Sequence, residues 1–129
     1  MEIKVRVILI DLKRAFRRLL ARLPDESEAG GDFVIFNADE NSLNIAAGGT
    51  SEALNATVTH PGQARVPSAV FCGIARTLRF YRARVIVISF LHGIVRINRT
   101  DYRHPGISVL ALGRGRAIGM TEPAKPQNL

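Results

Sequence analysis

Five cations fall within ten positions of the stretch Asp11 to Pro24, DLKRAFRRLLARLP: Lys13, Arg14, Arg17, Arg18 and Arg22. Cations at this density suit the binding of a polyanion, and arginine in particular makes planar, bidentate contacts with phosphate. A second set, Arg76, Arg79 and Arg82, lies further along, with Arg84 just beyond it. Candidates for bond-making chemistry are few. His60, His92 and His104 are scattered, and two of them stand beside proline. No H-E-x-x-H, G-x-S-x-G, Walker or Rossmann pattern occurs, and Gly48-Gly49 is followed by neither Lys-Ser nor Lys-Thr. Cys72 is the only cysteine, which excludes an intrachain disulfide and a zinc site of several thiolates. Neighbouring arginines can lower a thiol pKa, but a lone helical cysteine is more often inert. Asp101 and His104 are near enough in sequence to pair within a loop. The acidic stretch DESEAGGD, residues 25–32, lacks anything to pin its carboxylates around a metal. No cofactor is expected, and an enzyme is not the expected class.

The basic residues need elements to present them. Leu12, Ala15, Phe16, Leu19, Leu20 and Leu23 recur at helical spacing and form one apolar stripe, so the spacing predicts a helix over 11–23. Asp11 is the expected N-cap and Pro24 the stop. The five cations take up the rest of the circumference. A second helix fits Ser68 to about Tyr81, with Val70, Phe71, Ile74, Ala75, Leu78 and Tyr81 on its apolar side and Arg76 and Arg79 opposite. Gly73 weakens it a little. A solvated helix face has the same composition as a polyanion-binding one. Arg79 and Arg82, near a helix C-terminus, also complement its dipole.

The remaining segments read as strands. In residues 2–10, Ile3, Val5, Val7 and Leu9 point one way and Glu2, Lys4 and Arg6 the other. Strands are expected at 33–37, 42–47 and 53–60, with turns at 38–41 and 48–51, and again at 63–66, 84–90, 94–99 and 107–112, with a loop at 101–106. Pro67 ends its strand, having no N–H for a ladder. Each half thus runs strand, basic amphipathic helix, three antiparallel strands. One β-α-β-β-β unit cannot bury both its helix and its sheet, so two units side by side are expected. The fold class is α+β, with one domain over 1–112 and a strand extension or mobile tail over 113–129.

Bulk properties agree. The chain has 129 residues, 47% hydrophobic and 22% charged, enough for one domain with a sizeable core. Net charge is +7 and the isoelectric point is near 10.7. Lys4, Lys13 and Lys125 are the only lysines, so arginine carries most of the charge. That bias suits a polyanion partner, and a GC-rich genome produces it too. MEIKVRVILI carries no signal-peptide cleavage pattern. The longest apolar run, Val85 to Val95, is short for a bilayer and contains His92-Gly93. A cytoplasmic location is expected.

The element order, the length and the two basic helices resemble one domain of a DNA sliding clamp, the processivity-factor fold. Leu43 to Leu78 also resembles the bacterial beta-clamp pattern. Strand LNIAA leads to strand ALNATV, a glycine-containing turn and VPSAVFCGIARTL, where clamps have Val-Pro, a small residue and an amphipathic helix. The resemblance covers about residues 1–112. It implies helices on the inner wall of a ring, touching the phosphates of an encircled duplex without reading sequence. It implies that Lys13, Arg14, Arg17, Arg18, Arg22, Arg76, Arg79 and Arg82 face double-stranded DNA. It also implies edge strands that pair between subunits of a homo-oligomer, and replication or repair proteins as further partners. The alternative is an interaction module that docks on such a partner without encircling DNA. Departures are visible. Clamps carry several such domains per chain, an acidic residue often stands where Gly48-Gly49 falls, and residues 113–129 do not match the clamp C-terminal tail.

Overall fold

The alternation in IKVRVI becomes the first strand of the computed structural model, which describes residues 2–22 and 33–111. The expected acidic loop at 25–32, the helix end at Leu23-Pro24 and the tail over 113–129 lie outside the described residues. Strand β1 (Ile3–Ile8) buries Ile3, Val5 and Val7 and passes directly into helix α1 (Leu9–Leu20). The helix therefore begins two residues before the expected N-cap. Ile8 occupies the cap position without a side-chain bond, and Asp11 sits in the first turn, where its carboxylate complements the helix dipole. Leu9 leaves the strand pattern yet stays buried as the first residue of the helical stripe, with Leu12, Ala15, Phe16 and Leu19.

Four short strands follow: β2 (Phe33–Asp39), β3 (Ser42–Ala47), β4 (Thr50–Asn55) and β5 (Thr57–His60). The turns are tighter than expected. Glu40-Asn41 and Gly48-Gly49 each close a two-residue hairpin. Both glycines have positive φ, which a type I′ turn demands at its two central positions. The single strand expected at 53–60 is two strands in two different sheets. The chain changes sheets at Ala56, whose N–H donates to the Asn41 carbonyl at 3.1 Å.

The second half holds β6 (Gly62–Pro67), α2 (Ser68–Thr77), β7 (Val85–Leu91), β8 (Ile94–Ile97), β9 (Thr100–Arg103) and β10 (Ser108–Ala111). Helix α2 is shorter than the 68–81 expectation. A 3-10 turn, Leu78–Phe80, closes it, and Tyr81 is already extended. The Thr77 hydroxyl donates back to the Ile74 carbonyl at 2.9 Å, a local bond that competes with continuing the helix. The expected 101–106 loop contains most of β9, because Asn98, with positive φ, closes a two-residue turn at Asn98-Arg99 and returns the chain early.

The order is therefore strand, helix and four strands in each half, one strand more than expected. The sheets run β5-β1-β7-β8-β9 and β10-β6-β2-β3-β4, and every pairing is antiparallel. The halves are interleaved: β1 pairs with β7 of the second half, and β6 pairs with β2 of the first. Neither half has a complete sheet without the other.

Four phenylalanines join the layers. Phe16 of α1 lies 4.4 Å from Phe71 of α2, ring centre to ring centre, and Phe36 of β2 lies 4.9 Å from Phe90 of β7. Phe36 also approaches Phe16 and Phe71, each at 6.3 Å. This cluster fastens both helices to both sheets at one point. The Tyr102 hydroxyl of β9 meets the Thr77 hydroxyl at 2.7 Å and the Tyr81 hydroxyl at 2.9 Å, tying the end of α2 to the first sheet's edge strand.

Candidate nucleic-acid interface

With the apolar stripes of both helices committed to the core, their cations are left on the outer surface, and the packing sorts them into groups. Lys13 and Arg17 of α1 stand across a groove from Arg79 at the end of α2. Phe16, Leu20, Ala75 and Leu78 line the groove, which holds about 240 Å³. Three cations over an apolar floor can take one or two phosphates. The low-dielectric floor strengthens the attraction relative to a flat, fully wet face.

Arg14 and Arg18 occupy the other flank of α1, toward edge strand β4. They line a separate depression of about 330 Å³ with Asp11, Ser42, Glu52 and Asn55. Arg18 forms a 3.0 Å ion pair with Glu52, and its side chain keeps 64% of its exposure. The five cations of the first helix thus do not form one uniform set. Arg22 is exposed just past the helix, Arg76 is exposed on α2, and Arg82 is exposed in the extended segment after the 3-10 turn. Cys72 is half-buried in α2.

The loop chemistry expected at Asp101 and His104 takes a different form. The β8–β9 register sets Asp101 opposite Arg96. Arg96 Nε donates to its carboxylate at 2.6 Å, and Arg103 adds a bond at 3.1 Å. The hydrogen bond from Arg96 holds the Asp101 carboxyl below the usual carboxylate range. His104 instead accepts from the Gly106 N–H through Nδ1 at 2.9 Å. Among the described residues no group of three or more His, Cys, Asp and Glu is placed to hold a metal ion, and no helix is long and apolar enough to cross a membrane.

Sequence reading passed over Phe80. It is 64% exposed, the most exposed large apolar side chain among the described residues, and the Arg79 guanidinium carbon lies over its ring at 4.9 Å. The available signal was the interleaving in RFYRAR, where an aromatic pair stands among three arginines. A second signal is long-range: from Ala53 to Thr100 the chain has no Asp or Glu at all, while Arg65, Arg76, Arg79, Arg82, Arg84, Arg96 and Arg99 fall in that span.

Two interleaved antiparallel sheets carrying two helices are the architecture of a beta sliding clamp domain, and the chain has that fold. Solved clamps from Bacillus subtilis (TM-score 0.64, 10% identity), Bartonella birtlesii (0.61, 12%, bound to griselimycin) and C. crescentus (0.59, 14%) superpose on 98%, 100% and 98% of the chain. The chain spans about a third of the length of each of them. No family model and no curated protein matches the sequence.

Proposed function

We propose that this chain is a sliding-clamp-like module that contacts duplex DNA without sequence preference through the basic faces of α1 and α2, and does so as a homo-oligomer. The observation that carries the reading is the groove where Lys13, Arg17 and Arg79 converge, on a fold shared with solved sliding clamps. Lys13, Arg17 and Arg79 form the centre of the contact, with Arg14, Arg18, Arg22, Arg76 and Arg82 flanking it. The chain makes no base-edge contact in this reading, and no catalytic step belongs to it.

One such domain forms only part of a ring, because the matched clamps contain about three times its length in each chain. Closure needs several copies. Among the described residues, strands β4, β5, β9 and β10 are the outer strands of their sheets, and an outer strand can extend its sheet between subunits through its free edge. The outer position of β4, with Arg14 and Arg18 beside it, supports a second reading in which the module docks on a replication or repair protein by strand addition.

Light scattering at several protein concentrations, with and without a short duplex, separates the readings. A closed multi-subunit species that persists without DNA supports encirclement. A strict monomer that stays monomeric on DNA removes that mechanism and favours docking.

A further inference from the structure

Among the described residues two arginines lie over aromatic rings, Arg65 over the half-buried Phe33 and Arg79 over the exposed Phe80, and the second offers more than contact with a duplex. Phe80 ends the 3-10 turn after α2 with most of its ring in solvent. It is not a frayed residue. Leu78 before it is buried at 2% exposure, and Tyr81 after it is tied to Tyr102. Beyond Tyr81, the Arg84 carbonyl accepts the Leu9 N–H at 2.9 Å, so the segment is fastened to the start of α1. The backbone holds the ring outward from both sides, at the cost of leaving a large apolar surface wet.

Arg79 lies over the ring, and Arg82 and Arg84, both exposed, follow within four positions of it, in a stretch of 48 residues whose sequence contains no carboxylate. A ligand for this site must carry negative charge and present a flat face to a phenyl ring. An unpaired nucleotide of a single strand meets both conditions. A base inside a duplex meets only the first, because its faces are covered by its neighbours. Arg79 gives the path: it lines the inter-helix groove with Lys13 and Arg17 and also lies over Phe80. A strand whose phosphates occupy the groove reaches the ring by following one side chain.

We infer that Phe80 is a stacking platform for an unpaired base, with Arg79, Arg82 and Arg84 holding the adjoining phosphates, so that the module binds single-stranded nucleic acid beside its duplex face. Base–aromatic stacking is sequence-tolerant, and the segment RFYRAR that carries the ring has no side-chain amide for reading base edges.

The test uses the 129-residue chain and a labelled oligothymidylate, a blunt duplex, and the same duplex with a single-stranded overhang. The wild-type chain is expected to bind the overhang substrate more tightly than the blunt one. Phe80→Ala is expected to weaken oligothymidylate binding roughly 5- to 150-fold, the range typical of one lost stacking partner, and to leave blunt-duplex binding within about twofold. The chain has no tryptophan, so the indole of Phe80→Trp reports on that position alone. Quenching of its emission by oligothymidylate is expected, with binding retained. No quenching at saturating oligonucleotide, or an equal loss for all three ligands in Phe80→Ala, overturns the inference. Binding of oligothymidylate with quenching but no binding of blunt duplex supports it while removing the duplex reading. A gain in self-association that disappears in Phe80→Ala, with no effect of any nucleic acid, assigns the ring to a protein contact and also overturns it.

Discussion

At the residue scale the packing divides cations that look equivalent in sequence. Lys13 and Arg17 share a groove with Arg79, whereas Arg18 is ion-paired to Glu52 on the opposite flank. Each phosphate neutralised contributes a log–log salt slope of about −0.9. Replacing Lys13, Arg17 and Arg79 together with Ala is therefore expected to flatten the slope of duplex binding by up to about three times that value. Replacing Arg14 and Arg18 is expected to flatten it less, because Arg18 already has a carboxylate partner. Salt titrations of the two variants, side by side, check the division; equal slopes contradict it. Tyr81 offers a second test at this scale. Burial, reinforced by the Tyr102 hydroxyl, pushes its pKa from 10.0 to about 12. The unfolded chain releases this proton first as pH rises, so the folded state binds more protons between pH 10.0 and about 12. Stability is expected to fall across that window. Tyr81→Phe removes the titrating group, and denaturant melts at a series of pH values show whether the fall shrinks with it.

At the element scale, the helices matter less as isolated helices than as parts of a clasp. Phe71 is fully buried in the aromatic cluster, its ring centre 4.4 Å from that of Phe16 and 6.3 Å from that of Phe36. Phe71→Ala is expected to cost about 3–5 kcal/mol, read from the denaturant midpoint. Gly73→Ala has the opposite sign. A Cβ there meets nothing within 4 Å, so the change adds helix propensity without crowding and is expected to stabilise α2 by about 0.5–1 kcal/mol. Gly62 of one sheet lies tightly against Ile3 of the other. A Cβ at Gly62 lands 2.7 Å from Ile3 Cγ1 and 2.8 Å from the Leu110 carbonyl oxygen, which is backbone and cannot swing aside. Gly62→Ala is expected to destabilise by about 1–3 kcal/mol through overpacking, again measured by denaturant melts.

At the scale of the whole molecule, the interleaving of the halves decides how the surface is laid out. Because β1 completes the sheet of β7, β8 and β9, and β6 completes that of β2, β3 and β4, both helices are drawn together and their basic faces open the same groove. In the proposed reading the outer strands serve contacts with further copies of the chain or with another protein. The solution mass and the overhang preference are the two properties that belong to this scale, since neither follows from one element alone.

Much of this was legible in the sequence, and the reason is periodicity. The burial of Ile3, Val5 and Val7, the stripe of Leu12, Ala15, Phe16 and Leu19, and the hairpin at His92-Gly93 all follow from local alternation, helical spacing or turn chemistry. The repeated order of strand, helix and strands was visible too, because each element carries its own pattern. What the tertiary structure decided is non-local. Residues 53–60 alternate without interruption, so nothing local announces that the chain changes sheets at Ala56. The hydrogen-bond partners on either side make that break. The start of α1 at Leu9 depends on a bond to the Arg84 carbonyl, seventy-five positions away in the chain. The division of the cations depends on which helix flank meets α2 and which meets β4. Charge and spacing determined that the helices present arginine to the outside; only the packing decided which arginines share a site and that Phe80 stands exposed beside them.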